Sequence, residues 1–562
     1  MNIHGFDIFA IGKVYGEEWV DILLPKAVDT MVTAMLTFPE DVLRDRDARG
    51  SWPGKMIPPQ LFGSHTLKAW GYRMGMHKGE FGDTSDWAAW SPEMQAYCAR
   101  DVSVNVELSK RLQKFIMTQQ SFEIEQQVSR IIARQVHHGV RANRDAILAL
   151  YTLAQKRLKE LTTELVGAFG SWYKPGGEFT PKVSNKKSGY TRDATLCKVK
   201  HHTFSPGSRQ DIAYALKRKY GWKPKVFTPT GQPQIDESTL GPLPYPEAKL
   251  LLEYLDMQKL SGQVYTGDNS WMRYITPEGR IHGRVITNKA VTGRASHSSP
   301  NLGQVRSADS HLGPESRECF EADEAWVMVG SDQQGVELRA LAHHLYEFDG
   351  GAYADELLKG DVHLLKAHLV TEIPKEEIPK GLRNGGKTAW TYSWLYGAGD
   401  KKLAVQYAEL RKQFPQMPKL AGKDIRYRME QGITGVEPLL EMVKDSHNRH
   451  RYIIGMDGRK VYTRSEHSAL NTLLQHTGAM LAKMWIIKAH ELIASETNWK
   501  WGKDYAQVLW VHDELQFTCR PEIADQLGDI LLRACLLAGE AFGCHLPIEA
   551  EYKVGKTWRD TH

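Results

Sequence analysis

The sequence has 562 residues, 41% hydrophobic and 25% charged, which is enough for about four domains and a large buried core. Its net charge of +5 and pI near 8.6 permit a polyanionic partner without demanding one. Six cysteines lie far apart without a CxxC pair, which excludes a disulfide scaffold or a Cys-rich zinc site and fits a reducing cytosol; no signal-peptide layout or 18-residue apolar run points to a membrane.

Residues 1 to about 117 alternate short apolar runs with helix-like patterns, which predicts an α/β domain opening on the apolar segment Gly5 to Ile11. Near its end Tyr97 and Asp101, at i and i+4, share one helix face; such a pair holds a metal-bound water or is simply solvated. From 118 to 170 the pattern predicts a helical hairpin turning at Gly139 and Asn143-Arg144-Asp145. Lys174 to Lys200 carries Lys174, Lys182, Lys186, Lys187, Arg192, Lys198 and Lys200 against Glu178 and Asp193, and reads as a mobile basic loop touching phosphates or as a solvated linker. Ser208 and Arg209 then open a helix whose free N–H groups suit a backbone phosphate.

Residues 281 to 304 are polar and turn-rich, and hold Arg294, Asn301 and Gln304, side chains that can donate to minor-groove acceptors. Trp326 to Asp332 reads as a buried strand that ends on an acid, with Glu337 one turn into the following helix. Gly381 to Asp400 admits two readings. Gly381 to Thr388 fits the phosphate-loop pattern G-x-x-x-x-G-K-T, but the preceding PKEEIPK is no buried strand. Alternatively the glycines lead into a helix with Arg383 and Lys387 on one face near its positive end, followed by a stacking wall of Trp390, Tyr392, Trp394 and Tyr396. Downstream, Val508 to Phe517 predicts a hairpin with His512, Asp513 and Glu514 at its tip. Two strands each delivering an Asp, with a cationic and aromatic helix between them in sequence, match phosphoryl transfer through two Mg²⁺ ions.

The motifs VGSDQQGVELRALAHH (329 to 344), GDVH (360 to 363), the 383 to 399 helix and VHDE (511 to 514) resemble family A (DNA polymerase I-like) DNA polymerases, closest to the replicative enzymes of short-tailed T-odd coliphages. AVTGRASHSSPNLGQV (290 to 305), GMDGRKVYTRSEHSALNTLLQ (455 to 475) and His562 match as well, so the resemblance covers nearly the whole chain. It implies a multi-domain α/β chain: a right-hand polymerase with an antiparallel-sheet palm, helical fingers and thumb, plus a truncated ribonuclease H-like 3′–5′ exonuclease domain. The expected boundaries are exonuclease-like 1–117, thumb 118–274 with its basic insert at 174–200, palm 275–344 and 471–562, and fingers 345–470.

Residue by residue, the resemblance implies that Asp332 and Asp513 bind two Mg²⁺ ions, with Glu514 the catalytic acid beside them. Arg383, Lys387 and His363 would contact the triphosphate, and Glu337 with Tyr392 would close off the sugar's 2′ side. Arg294, Gln304, His467, Asn471 and Gln475 would contact DNA, as would Ser208. Expected partners are primer–template DNA, deoxynucleoside triphosphates, a processivity factor, a replicative helicase–primase and a single-strand binding protein, in the host cytoplasm and away from membranes.

Three features depart from the family pattern. Lys387 to Tyr396 is one residue long, and a π-bulge between Lys387 and Tyr392 is expected to restore the face. The exonuclease-like part keeps Asp7, Tyr97 and Asp101 but lacks a D-x-E strand, so it is expected to be inactive. The basic insert is much shorter than the one that recruits host thioredoxin in phage enzymes, which speaks against thioredoxin dependence. The competing readings are a single-subunit RNA polymerase, which Glu337 opposes, a P-loop ATPase, and a DNA-binding module with a dead active site.

Overall fold

The computed structural model describes residues 2–54, 57–77, 81 and 88–562. The chain divides into two compact units, one of Met1–Ala142 with Thr276–His562 and one of Asn143–Ile275. Among the described residues no single helix is long and apolar enough to cross a membrane.

The first unit is built on a four-stranded antiparallel sheet in the order Tyr505–Val511, Glu514–Cys519, Val327–Gln333, Ala550–Gly555. The hairpin strands are rich in β-branched and aromatic residues and are buried at nearly every position, because helices cover the face of Leu515 and Phe517 while the C-terminal residues Trp558 and Thr561 bond Glu514 and Gln516 on the other. Val329, Leu515 and Phe517 share one core with Trp485, Ile530 and Leu531 of those helices and with Ile124 and Val128. The register sets Glu514 opposite Asp332 and Gln516 opposite Gly330, where a Cβ would lie 2.3 Å from the Gln516 side-chain nitrogen. Both expected acid-bearing strands therefore exist and deliver their acids at the same end of the sheet.

The helix Ala469–Glu496 is apolar around most of its circumference and runs through the interior. A buried ionic cluster ties it down: Glu125 accepts from Lys483 and from Arg459, each at 2.6 Å, and Arg459 also reaches Asp457 at 2.6 Å. Losing one member would strand a charge in the core, which typically costs 3–5 kcal/mol. A second core belongs to a helical lobe and includes Leu382, Trp390, Trp394, Tyr407 and Val436.

Three expectations are corrected. The described residues up to 117 contain helices and no strand, so this part is not α/β. Gly5 to Ile11 lies in a π-turn, Ile3–Asp7, and the helix Ile8–Tyr15, because Ile8 and Phe9 pack against Val20, Leu24 and Ala133, and a strand there would have no ladder partner. The helical hairpin is interrupted: between Gln119–His138 and Arg144–Phe169 the strand Val140–Ala142 pairs with Arg280–Ile281 and Phe320–Glu321. The second unit thus starts at Asn143, whose side chain caps the helix from Ala146 N at 3.0 Å. Finally, the basic segment is an ordered two-stranded ribbon, Ser171–Phe179 with Leu196–Thr203.

Candidate active site

The hairpin tip turns at His512, which takes φ 57° in the left-handed region that non-glycine residues rarely enter. The turn sets Asp513 beside the end of the neighbouring strand, where Gln333 N donates to the Asp513 carbonyl at 3.0 Å. Burial pushes the Asp332 carboxyl up to about 7, and repulsion from Asp513 and Glu514 adds to it. Burial and the Glu337 charge likewise hold Asp513 up at about 6. Glu514 behaves differently. Burial would raise it, but a hydrogen bond to His562, the charge of Arg317 and a bond from the Trp558 indole hold it below the ordinary range. Arg317 Nη1 lies 3.2 Å from it and Gln516 donates at 2.7 Å, so its oxygens are engaged. Burial and acidic neighbours outweigh the charges of His562 on Asp332 and of Arg294 on Asp513, whereas at Glu514 hydrogen bonds and positive charge prevail.

Glu337 is the second residue of the helix Val336–Asp349, earlier than the expected one turn in, and its hydrogen-bond partner is not Tyr392. Tyr396 donates its hydroxyl to Glu337 Oε1 at 2.6 Å, and Arg294 lies 3.8 Å from the same oxygen. These three line a cavity of about 290 Å³ together with Asp513, His512, His297 and the small residues Gly478 and Ala479.

Gly381 to Thr388 is helical and follows no strand, so the phosphate-loop reading fails. The helix Lys380–Gly386 passes into a π-helix over Lys387–Tyr392, where the extra residue was expected to be absorbed. Its consequence is visible in burial: Thr391 is 1% exposed, whereas Lys387 and Tyr392 are half-buried at the surface. Tyr392 lies within electrostatic reach of Glu337 and Asp513, which raise its phenol after burial does. The four-ring wall is corrected to two, since Trp390 and Trp394 are core residues and only Tyr392 and Tyr396 flank the site, 6.4 Å apart.

Cations gather on the same side. Burial, then the charges of Lys387, Lys366 and Arg383, hold His363 down at about 4, so its ring is neutral 6.2 Å from Tyr392. Arg383 is paired with Asp361 at 2.5 Å. Lys366 is fully buried, its ammonium has no hydrogen-bond partner, and burial lowers it to about 7. Asp361 is the carboxylate within this set, and its charge acts on both Arg383 and His363.

The sequence profile of DNA polymerase family A matches residues 182–560. The chain belongs to DNA polymerase family A. It is 32% identical over 660 aligned positions to the "DNA-directed DNA polymerase" of Enterobacteria phage T3, covering 100% of this chain and 92% of that protein. Identity and coverage are the same against the "DNA-directed DNA polymerase" of Escherichia phage T7. In fold it is similar to the POL domain of Pol1 from M. smegmatis, solved in complex with DNA primer-template and dNTP, with a TM-score of 0.70 at 20% identity over 95% of this chain and 82% of that one.

The remaining expected residues of this family A chain fall in several places. Asn471 and Gln475 share the first turns of the helix Ala469–Glu496, with Gln475 donating to Asn471 at 3.0 Å. His467 is exposed on the turn before them, and Gln304 is exposed on the separate turn Leu302–Gln304. Ser208 belongs to the second unit, where it caps its helix by accepting from Asp211 N at 3.2 Å. Asp7 and Asp101 line another cavity of about 830 Å³, alongside Glu40, Arg284 and Lys289, while Tyr97 packs 5.6 Å from Phe81.

Among the described residues no three His, Cys, Asp or Glu side chains form a ready-made metal cage. Mg²⁺ does not need one, since it binds through one or two carboxylates and fills its octahedron with water and substrate phosphates. Asp332 and Asp513, half-buried and close enough for the charge of Asp513 to raise the Asp332 carboxyl, fit that donor requirement. Sequence reasoning missed Arg317 and Trp558, the hydroxyl of Tyr396 on Glu337, and Lys366. Asp361 lay inside a recognised motif, and its N-cap position before an apolar run was the available signal.

Proposed function

We propose that the chain is a template-directed DNA polymerase that adds deoxynucleotides to a primer 3′ end, in replication of phage DNA in the host cytoplasm. The observation that carries this reading is the presence of two aspartates whose carboxyls burial and acidic neighbours hold above the ordinary range, Asp332 and Asp513, together with a cationic cluster of Lys387, Lys366 and Arg383 around His363. Two Mg²⁺ ions, when bound at Asp332 and Asp513, would supply the Lewis-acid charge that phosphoryl transfer needs. The chain's own groups do the rest. Lys387 and Arg383 neutralise the β- and γ-phosphates, and His363 donates to them once the phosphates raise its affinity for a proton. Tyr392 and Tyr396 present rings to the base. Glu337, held by Tyr396, stands against the 2′ position and excludes a hydroxyl by occupying its space. Glu514 positions the strand end and the C-terminal residues through Arg317, Trp558 and His562.

In this reading the exonuclease-like region does not cut DNA. Asp7 and Asp101 share their cavity with Glu40, Arg284 and Lys289, and Glu40 lies 3.7 Å from Lys289, which leaves two-metal hydrolysis short of uncommitted carboxylates there.

Primer extension with each of the four deoxynucleotides and each of the four ribonucleotides tests the reading. The expected result is extension only by the deoxynucleotide complementary to the template. Ribonucleotide extension at comparable kcat/KM would favour an RNA polymerase, and ATP hydrolysis without DNA would favour an ATPase.

A further inference from the structure

The helix Ala469–Glu496 places Asn471 and Gln475 on a half-buried face and turns the next residue, His476, into the interior, where it is fully buried. The ring Nδ1 donates to the Thr292 carbonyl at 3.0 Å, since a carbonyl can only accept. The ring Nε2 lies 3.4 Å from Asp457 Oδ1. Two glycines make room for the imidazole. A Cβ at Gly455 would fall 2.0 Å from Nε2, and one at Gly293, which turns at φ 79°, would fall 2.9 Å from the Met480 methyl and 3.6 Å from Nδ1. One side chain thus joins the turn around Gly293 and the turn around Gly455 to the helix.

The Asp457 side is firmly tied. Asp457 bonds Arg459 at 2.6 Å, and Arg459 meets Glu125, which also takes Lys483 from the same helix as His476. Burial would raise the Asp457 carboxyl, yet the bond from His476 and the charge of Arg459 hold it well below the usual carboxylate range. The Thr292 side leads to the active site. Gly293 N donates to Ala290 O at 2.8 Å and Ala290 N to Arg294 O at 3.2 Å, which closes a tight turn that ends on Arg294. From there the Arg294 guanidinium lies 3.8 Å from Glu337 Oε1, and its charge reaches Asp513, His512 and the Tyr396 phenol.

We propose, resting on the reading of the chain as a DNA polymerase, that His476 is a positioning residue for Arg294. Its ring fastens the turn Ala290–Arg294 to the helix that carries Asn471 and Gln475, and the ionic cluster behind Asp457 holds the ring. The guanidinium is then presented to Glu337 and Asp513 at a fixed place. Without the Nδ1 donor the Thr292 carbonyl is left buried and unpartnered, which favours movement of the turn. The competing role is plain filling of the space between Gly293 and Gly455. Positioning is favoured because both ring nitrogens face oxygens, which an apolar side chain of similar size would leave unmet.

The test measures kcat/KM for one complementary deoxynucleotide, with Tm on the same preparations, in His476→Leu, His476→Asn and His476→Gln, each with and without Arg294→Ala. An Asn amide donates from near the Nδ1 position, whereas a Gln amide reaches the Nε2 position on the Asp457 side. Arg294→Ala should lower kcat/KM by roughly 10–100-fold and His476→Leu and His476→Gln by at least about tenfold, while His476→Asn, which keeps the bond, should stay within about threefold of wild type. On the Arg294→Ala background no His476 substitution should cost more than about a further threefold, because a residue that acts through another loses its effect with it. Losses that multiply in the double variants overturn the proposal. So does an Asn variant as poor as the Gln variant, or wild-type kcat/KM in His476→Leu or in Arg294→Ala. If Tm shows that His476→Leu does not fold, the contrast of Asn with Gln on the two backgrounds decides. A wild type that extends no primer removes the polymerase reading instead, so the two failures are distinguishable.

Discussion

Replacing Asp332 by Asn should make the metal-free protein more stable while making it catalytically poor. In the fold the Asp332 carboxyl is raised from 3.8 to about 7 by burial and by its acidic neighbours. One unit corresponds to about 1.4 kcal/mol, so full ionisation costs up to about 4 kcal/mol; partial exposure and sharing of the repulsion with Asp513 reduce the recoverable part to roughly 1–3 kcal/mol. The sign follows from linkage. A raised folded-state value means that the unfolded chain releases its proton first, so stability falls as pH rises from about 4 to about 7 and is flat above. Asn carries no charge, so its advantage should be near zero at pH 4, grow across that window and saturate by pH 8. Calorimetry in EDTA should show a Tm gain on the order of 1–3 °C at pH 8 for a unit of this size. Adding Mg²⁺ should raise the wild-type Tm and have less effect on the variant. A variant that is less stable at every pH, or a gain that does not change with pH, would refute the electrostatic account of this site.

Tyr396→Phe removes the hydroxyl that holds Glu337 and should lower the ratio of deoxy- to ribonucleotide kcat/KM several-fold; if the ratio is unmoved, Glu337 does not depend on that bond. Deleting Thr391 turns the π-helix into a regular one that keeps Lys387 and the tyrosine on one side. Nucleotide KM should then stay within roughly threefold of wild type, and a loss of nucleotide binding beyond about 100-fold would show that the π-geometry itself is needed. With labelled single-stranded DNA, wild type and Asp7→Ala should both leave the 3′ end intact, and robust degradation that the substitution abolishes would contradict the inactive reading.

What the sequence revealed was whatever its local pattern could carry. The strand that carries Asp332 and the hairpin whose tip carries Asp513 could be read because an apolar run that meets an acid is a short-range signal. The π-bulge could be read only through the resemblance, which implied one position too many between Lys387 and Tyr396; the fixed rotation per helical residue then required it to be absorbed before Tyr392. The state of Glu514 could not, since Arg317, Trp558 and His562 reach it from distant parts of the chain. Its adjacency to Asp513 suggested a shared role that burial and hydrogen bonding divide. The pairing of Glu337 with Tyr396 in place of Tyr392 was hidden for the same reason. Short apolar runs near the N-terminus were compatible with either strand or helix, and the absence of ladder partners decided for helix. The basic segment looked like a loop because composition reports exposure, which a two-stranded ribbon shares with a linker.

The central claim is that Asp332 and Asp513 together run template-directed nucleotide addition. Single-turnover incorporation of one complementary deoxynucleotide in the presence of Mg²⁺, by wild type, Asp332→Asn and Asp513→Asn, tests it most directly when primer–template Kd is measured on the same preparations. The account predicts a rate loss of at least about 10²–10³-fold in each variant with primer–template affinity within a few-fold of wild type. Near-normal incorporation by either variant would contradict it.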